Sequence, residues 1–201
     1  MKLFNLMFVN KFLKEFFEIG EHIPVEDVDK AIEILLEAWK NGNKIFIIGN
    51  GGSASTATHF ACDLIRTTAV KGNKRFKVIS LTDNVPLITA LTNDEGFASI
   101  FVEQLKNLLD KDDVVIAISV HGGAGRDKAG PWSQNLLAAV QYAKENSAKT
   151  IGIAGFDGGS LKNMTDVCII VPANYAPYVE SWHSALEHLI CSCLKERIRE
   201  N

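Results

Sequence analysis

The sequence predicts an α/β protein built on an open, doubly wound, five-stranded parallel sheet with helices on both faces. Five short runs are rich in Val, Ile and Ala, which is the composition of strands buried on both faces. Segments with the apolar spacing of helices separate these runs, as right-handed crossovers between parallel strands require. In such sheets ligands bind at the carboxyl ends of the strands, so the loops that follow the strands are the places to look for function.

The predicted strands alternate with helices along the chain. The strands are expected at residues 45–48, 76–81, 114–119, 149–154 and 167–171. The helices are expected at residues 3–19, 25–41, 54–64, 87–91, 97–109, 134–146, a short stretch after Leu161, and 179–199. No linker, repeat or low-complexity segment divides the chain, so residues 1–201 are expected to form a single domain.

Composition limits the classes of function. With 47% hydrophobic and 22% charged residues, the chain has the composition of an ordinary soluble globular domain. The formal net charge of −3 offers no basic surface to nucleic acid. Neither a signal peptide nor a membrane span is expected, because the apolar N-terminal stretch soon runs into charged residues at helical spacing. Four cysteines without metal-binding spacing predict reduced thiols in a cytoplasmic protein: Cys62, Cys168, Cys191 and Cys193.

The first predicted helix carries more apolar surface than one core contact requires. Large apolar residues lie around much of its circumference: Leu3, Leu6, Met7, Phe8, Phe12, Phe16 and Phe17. Packing on the core accounts for part of this surface, and burial against another subunit would account for the rest. Residues 1–41 are therefore expected to form a helical oligomerisation segment.

The stretch from Lys44 to Asp63 predicts an anion site. A buried strand ends at the Gly-Asn-Gly-Gly sequence of residues 49–52, and Ser53 or Ser55 then offers a side-chain N-cap for the next helix. This arrangement aims free backbone N–H groups and a helix dipole at one point, which suits a phosphate. The loop matches neither a P-loop nor a dinucleotide fingerprint. An ordinary strand-to-helix turn with a serine cap is the alternative.

Histidines and carboxylates recur on two of the predicted helices. His59 and Asp63 lie about one turn apart on the helix after the loop. The C-terminal helix places four polar residues among apolar neighbours: Glu180, His183, Glu187 and His188. Of these residues, Glu180 and His188 share one broad face. Together with His59 and Asp63 they would suit zinc or a similar divalent cation. The alternative is that each histidine is an ordinary core or surface residue.

Several motifs resemble the phosphoheptose isomerase branch of the sugar isomerase (SIS) domain family. Residues 49–55 fit this pattern, with His59 four residues further on. Residues 91–97, Leu-Thr-Asn-Asp-Glu-Gly-Phe, fit it as well, together with Phe101 and Gln104. The segments at residues 152–159 and 188–191 extend the likeness, in collinear order, over nearly the whole chain.

The resemblance implies a flavodoxin-like α/β/α sandwich, a homotetramer and an active site shared between subunits. It implies isomerisation of sedoheptulose 7-phosphate towards a heptose 7-phosphate, an early step to the heptose of bacterial surface glycans. It puts four residues at the metal positions: His59, Asp63, Glu180 and His188. Among these, Asp63 would be the general base and His188 the general acid, and Glu180 would also face the substrate. The other implied substrate contacts are Asn50, Gly51, Gly52, Ser53, Ser55, Asn93 and Asp94.

The implied chemistry is consistent with these residue types. Interconversion of an aldose and a ketose needs a carboxylate that moves a proton between adjacent carbons and an acid that serves the neighbouring oxygens. A cation steadies the enediolate that forms between them. Two of the residues depart from the family pattern, since Asp63 stands where the family has glutamate and Glu180 where it has glutamine.

The largest departure lies in the loop after the third strand, residues 119–135. The family shows Ser-Thr-Ser-Gly-Asn-Ser there, whereas this chain carries a longer, glycine-rich sequence. Ser119 and Ser133 are expected to keep the outer serines, and His121 replaces the middle one. Two cations in the insertion, Arg126 and Lys128, are expected to contact the phosphate. A solvated loop tip is the alternative for both.

Two further functions stay open at this point. The changed loop is compatible with an isomerase or epimerase that acts on a different sugar phosphate. The alternative outside the enzymes is a non-catalytic SIS module that binds a sugar phosphate or a protein partner. The presence of an acid, a base and a metal set together argues against a pure binding module.

Overall fold

The computed structural model describes residues 2–123 and 133–200 and confirms the predicted fold class. Its five strands are β1 (Lys44–Gly49), β2 (Lys77–Ser80), β3 (Val114–Ser119), β4 (Lys149–Ala154) and β5 (Val167–Ile170). All neighbouring strands are parallel, in the order β2-β1-β3-β4-β5. The order reverses between β1 and β3, so the loops after these two strands flank one crevice at the carboxyl edge of the sheet.

Eight α-helices within the described ranges cover the sheet. They are α1 (Lys2–Gly20), α2 (Val25–Asn41), α3 (Gly52–Arg66), α4 (Val85–Asp94), α5 (Val102–Leu108), α6 (Gln134–Glu145), α7 (Leu161–Met164) and α8 (Ala176–Arg199). Within the same ranges, no helix combines the length and the apolar character that crossing a membrane would need.

The prediction of a single helix at residues 97–109 is wrong. The chain instead forms a short 3-10 turn, Phe97–Ser99, and only then enters α5. Gly96 precedes the turn with a φ of 89°. Ile100 and Phe101 then point into the core, where both are buried. Burying these two side chains redirects the backbone, and the helical spacing of the segment cannot reveal such a break.

Alternate residues of the strands face two separate core layers. Ile45 and Ile47 pack beneath α2, α3 and α8, whereas Phe46 and Ile48 pack beneath α5 and α6. Every residue of β3 is buried, as expected for a central parallel strand. Helices α3 and α8 lie in the same layer and pack against each other. The polar residues that the sequence places on these two helices are therefore brought face to face.

Helix α1 packs on the core with one side only. The ring of Phe12 lies 4.5 Å from that of Tyr178, and Phe16 stacks on Trp182 at 5.0 Å between centroids. The opposite side leaves large apolar side chains exposed: Phe4, Leu6, Met7, Phe8, Val9, Leu13 and Phe17. This confirms the excess of apolar surface on the first helix, while its burial by another subunit stays a prediction.

All four cysteines are free thiols. Burial raises the pKa of Cys168 to about 11 and also raises the pKa of Cys191. Both groups are therefore neutral at pH 7 and behave as small apolar core residues.

Candidate active site

The Gly-Asn-Gly-Gly loop joins β1 to α3, and the helix begins earlier than expected. Helix α3 starts at Gly52, and Gly51 occupies the N-cap position with a φ of 55°. Neither Ser53 nor Ser55 caps the helix through its side chain, which corrects the expected serine cap. A left-handed glycine lets the backbone turn into the helix at once. The Ser53 amide accordingly donates to the Asn50 carbonyl at 3.0 Å.

The start of α3 leaves backbone N–H groups available to a ligand. No described residue accepts a hydrogen bond from the amide of Gly51 or of Gly52, and both residues are exposed. Because the first amides of a helix also lie at the positive end of its dipole, this position favours an anion. The geometry therefore agrees with the anion site predicted from the loop.

The side chain of Asn50 fastens the same loop to the start of α6. Its Nδ2 donates to Asn135 Oδ1 at 3.0 Å, and Asn135 Nδ2 donates back to Asn50 Oδ1 at 2.8 Å. Asn135 is buried, and its Oδ1 also accepts from the Leu136 amide at 3.0 Å. This pair fixes the loop after β1 relative to the helix that follows β3.

Three side chains form a compact group of possible metal ligands where α3 packs against α8. One ligand atom each from His59, Glu187 and His188 lies within 4.8 Å of the other two. The two imidazole rings meet edge to face with centroids 5.0 Å apart. Glu187 Oε1 lies 2.7 Å from His59 Nδ1. Two imidazoles and one carboxylate suit zinc or a similar cation and leave a coordination position for water or substrate.

Glu187 is the unusual member of this group. Its carboxyl group is fully buried, and neither oxygen makes a hydrogen bond to a described residue. Oε1 and His59 Nδ1 are close enough for an ion pair if the ring is protonated, but they do not form a hydrogen bond. Burial, with a smaller contribution from the nearby Asp63 carboxylate, raises the pKa of Glu187 to about 8. A buried carboxyl that makes no hydrogen bond is costly, and a bound cation would offset this cost, so the residues fit a divalent metal.

Asp63 and His188, the expected base and acid, are in direct contact. Asp63 Oδ2 lies 2.9 Å from His188 Nδ1, and Asp63 Oδ1 accepts a hydrogen bond from the Thr67 hydroxyl at 3.1 Å. A carboxylate on one ring nitrogen fixes both the orientation of an imidazole and the position of its proton. The structure thus pairs the two groups that the resemblance names for proton transfer.

Glu180 adjoins the loop after β1. Its carboxylate packs so closely on Gly52 that a Cβ at that glycine would come within 2.6 Å of Oε1. Glu180 does not belong to the group of three described ligands, although the resemblance gives it a metal position. The positive end of the α3 dipole favours a carboxylate at this place.

The loop after β3 is held tightly at its start. Ser119 is buried, and its hydroxyl accepts a hydrogen bond from the Gly123 amide at 3.1 Å. The exposed ring of His121 lies 4.2 Å from the ring of Phe156, which belongs to the loop after β4. These contacts fix the base of the loop at the carboxyl edge of the sheet, beside the loop after β1.

The remaining expected site residues lie apart from these contacts. Ser133 precedes α6 and does not cap it through its side chain. Asn93 and Asp94 are exposed at the end of α4, where Asn93 Nδ2 donates to Asp94 Oδ1 at 2.7 Å. Arg126 and Lys128 lie outside the described residues, so their contact with phosphate stays a prediction.

Sequence reasoning left Glu187 out of the site. A signal was present, because the buried positions of α8 follow helical spacing through Val179, Leu186, Ile190 and Leu194. Glu187 lies on that buried side beside Leu186, where a charged residue is rarely found unless it has a partner. A carboxylate on the apolar face of a helix that also carries two histidines is a reason to expect a ligand or a buried partner.

Comparison with known proteins agrees with this geometry. The SIS domain family model matches residues 11–155. A phosphoheptose isomerase of Helicobacter pylori (strain P12) is 36% identical over 170 residues, covering 85% of this chain and 83% of the relative. The lincomycin biosynthesis protein LmbN of Streptomyces lincolnensis is 40% identical over 163 residues, which cover 79% of this chain but only 58% of LmbN.

A solved structure supports the same relationship. The phosphoheptose isomerase GmhA from Neisseria gonorrhoeae superposes with a TM-score of 0.83 at 30% identity, covering 95% of this chain and 98% of GmhA. Agreement of this extent shows that the two chains share the same overall fold. The chain therefore belongs to the SIS domain family, in its phosphoheptose isomerase branch.

Proposed function

We propose that the protein isomerises sedoheptulose 7-phosphate to a heptose 7-phosphate. The observation that supports this proposal is the contact between Asp63 and His188, the expected base and acid, beside three side chains that could hold a cation. At the start of the helix that supplies Asp63, the amides of Gly51 and Gly52 have no acceptor among the described residues, which would suit an anionic group of a sugar phosphate. The family relationship makes a ketose phosphate the expected substrate.

The reaction moves one proton between carbons and one between oxygens. A base removes a proton from C1 of the ketose, and the same proton or its equivalent is delivered to C2. The O1 hydroxyl loses its proton as C1 becomes the carbonyl carbon, while the C2 carbonyl oxygen gains one. We assign the carbon transfer to Asp63 and the oxygen transfers to His188. Because the two groups lie 2.9 Å apart, a proton could pass between them, so that both would return to their starting protonation states after each turnover.

His59, Glu187 and His188 would hold a divalent cation, which we propose to be zinc or a cation of similar preference. A cation there would polarise the sugar carbonyl and stabilise the negative charge of the enediolate. The fit rests on the donor set and on the buried carboxyl of Glu187, whose oxygens make no hydrogen bond to a described residue.

The test is turnover of sedoheptulose 7-phosphate by the purified protein and by Asp63→Asn and His188→Gln. Loss of a general acid or base should lower kcat by about 10²- to 10⁴-fold. Glu196→Gln is the matched control, because Glu196 is an exposed residue of α8 that pairs with the exposed Arg199. Full activity in Asp63→Asn would contradict the assignment.

A second candidate keeps the chemistry and changes the sugar. It is favoured by the long loop at residues 119–135 and by the 40% identity to a protein of lincomycin biosynthesis. A panel of ketose phosphates of different chain length distinguishes the two candidates through kcat/KM. Replacing Arg126 and Lys128 by Ala should raise KM about 10- to 100-fold if they hold the phosphate, whichever sugar is preferred. An unchanged KM would indicate that the backbone amides and the serines bind the phosphate without these two cations.

We also propose a homotetramer of single-domain subunits with sites at their interfaces, in the cytoplasm. The exposed apolar side of α1 supports assembly through residues 1–41. Four free thiols accord with a reducing compartment. Light scattering at micromolar concentration tests the assembly, and a stable monomer would contradict it.

A further inference from the structure

We propose that Glu187 is the carboxylate ligand of the cation in this protein, and that Asp63 remains outside the coordination sphere as the carboxylate that positions His188. This inference rests on the proposed metal-assisted function. It departs from the expected set, in which Asp63 and Glu180 were the two carboxylate ligands. The two roles that the resemblance assigns to one carboxylate, metal ligand and base, are thereby divided between two residues.

The first step of the argument is the availability of the two carboxylates. Both oxygens of Asp63 are already engaged, one by His188 Nδ1 and the other by the Thr67 hydroxyl. Both oxygens of Glu187 are buried and make no hydrogen bond with a described residue. A buried acceptor that lacks a hydrogen bond requires another partner. Of the two carboxylates, Glu187 is therefore the one whose oxygens are not committed to hydrogen bonds with described residues.

The second step is geometry. Glu187 and the two histidines bring one ligand atom each within 4.8 Å of one another, and Asp63 is not part of that group. Glu187 Oε1 approaches His59 Nδ1 to 2.7 Å without the alignment of a hydrogen bond. A carboxylate oxygen and an imidazole nitrogen this close, with a second imidazole beside them, form a donor set that one cation could join.

The third step is the length of the side chains. Asp63 is one methylene shorter than a glutamate, and on α3 it reaches His188 across the helix contact. Glu187 starts from α8 and reaches back to His59 on α3. Each helix thus sends one carboxylate to the histidine of the other. A histidine that binds a metal through one nitrogen commonly donates its other N–H to such a carboxylate, which is the place of Asp63.

The experiment measures metal binding, not turnover. Zinc affinity is determined by chelator competition and calorimetry for the parent, Glu187→Leu, Glu187→Gln, Asp63→Asn and the control Glu196→Gln. Cobalt(II) replaces zinc in a parallel series, because its visible absorption reports on the ligand atoms. Glu187→Leu keeps an apolar side chain of similar volume in a buried place, so the metal-free variant should fold. Glu187→Gln serves as the second variant if it does not.

We expect both Glu187 variants to lose the zinc-induced rise in Tm and to change the cobalt spectrum. Asp63→Asn should keep the spectrum and lose affinity by about 10- to 100-fold, as removal of an outer hydrogen-bond partner does. The reverse pattern, with the spectrum altered by Asp63→Asn and retained by Glu187→Gln, would overturn the inference.

The outcomes separate this inference from the proposed function. A parent that binds no zinc yet isomerises the sugar phosphate with chelator present would refute the role of Glu187 and leave the isomerase standing. A parent that binds zinc through Glu187 but converts no ketose phosphate would refute the proposed isomerase and support the role of Glu187 as a ligand.

Discussion

Replacing Gly52 by alanine should separate the stability of the fold from the function of the site. Gly52 is the first residue of α3, and its backbone φ does not lie in the left-handed region. Alanine in a helix is favoured over glycine by about 0.5–1 kcal/mol, so the substitution should not destabilise the protein. The added methyl group, however, would lie 2.6 Å from Glu180 Oε1.

The contact determines the size of the effect on activity. To restore van der Waals distance, the Glu180 carboxylate must retreat by about 1 Å. The tip of a glutamate can make this movement at little cost in stability. If Glu180 contacts the substrate, as the resemblance implies, a displacement of about 1 Å there can lower turnover by up to about 10²-fold. We therefore expect an unchanged or slightly higher Tm together with a kcat/KM reduced by about one to two powers of ten.

The assay is kcat/KM on sedoheptulose 7-phosphate, with Tm measured in the same buffer. A double-mutant cycle with Glu180→Ala shows whether the methyl group acts through Glu180. If it does, Gly52→Ala should cause no further loss in the Glu180→Ala background. An equal loss in both backgrounds would refute the reasoning, since the methyl group would then obstruct the substrate directly. Full activity of Gly52→Ala would refute it as well.

Three other variants test separate features. Gly122→Ala should destabilise strongly or prevent folding, because its φ is 64° and its Cβ would meet the Gly158 carbonyl oxygen at 1.9 Å; an unchanged denaturant midpoint would contradict the packing of the two loops. Burial lowers the pKa of His183 to about 4, so the stability that the neutral ring supports is complete above pH 6.5 and lost as the pH falls towards 4. With chelator present, the free energy of unfolding of the parent should fall by ~3 kcal/mol more than that of His183→Gln as the pH is lowered from 6.5 to about 4. Parallel plots of unfolding free energy against pH for the two proteins would contradict this prediction. Phe8→Ser with Phe17→Ser should reduce the assembled mass in light scattering without lowering helix content, because both rings are exposed in the monomer; an unchanged mass would remove α1 from the interface.

Much of the fold was predictable because its signals are local. The runs at residues 114–119 and 149–154 match β3 and β4 to the residue, and residues 25–41 match α2. Apolar spacing and the flanking glycine and proline act within a few residues, so they can be read from the chain itself. The break before α5 was not predictable in this way, because it depends on where Ile100 and Phe101 meet the core.

The candidate site shows the same division between what local sequence predicts and what tertiary packing sets. By itself the sequence determined which residue types were available: a glycine loop after a buried strand, two histidines, and several carboxylates on two helices. Only the tertiary structure decided how they pair, with Asp63 on His188, Glu187 beside His59, and Glu180 on Gly52. The reason is that α3 and α8 are more than a hundred residues apart in the chain, and their relative height is set by core packing. A change in that height of one helical turn would exchange the partners without altering any local pattern.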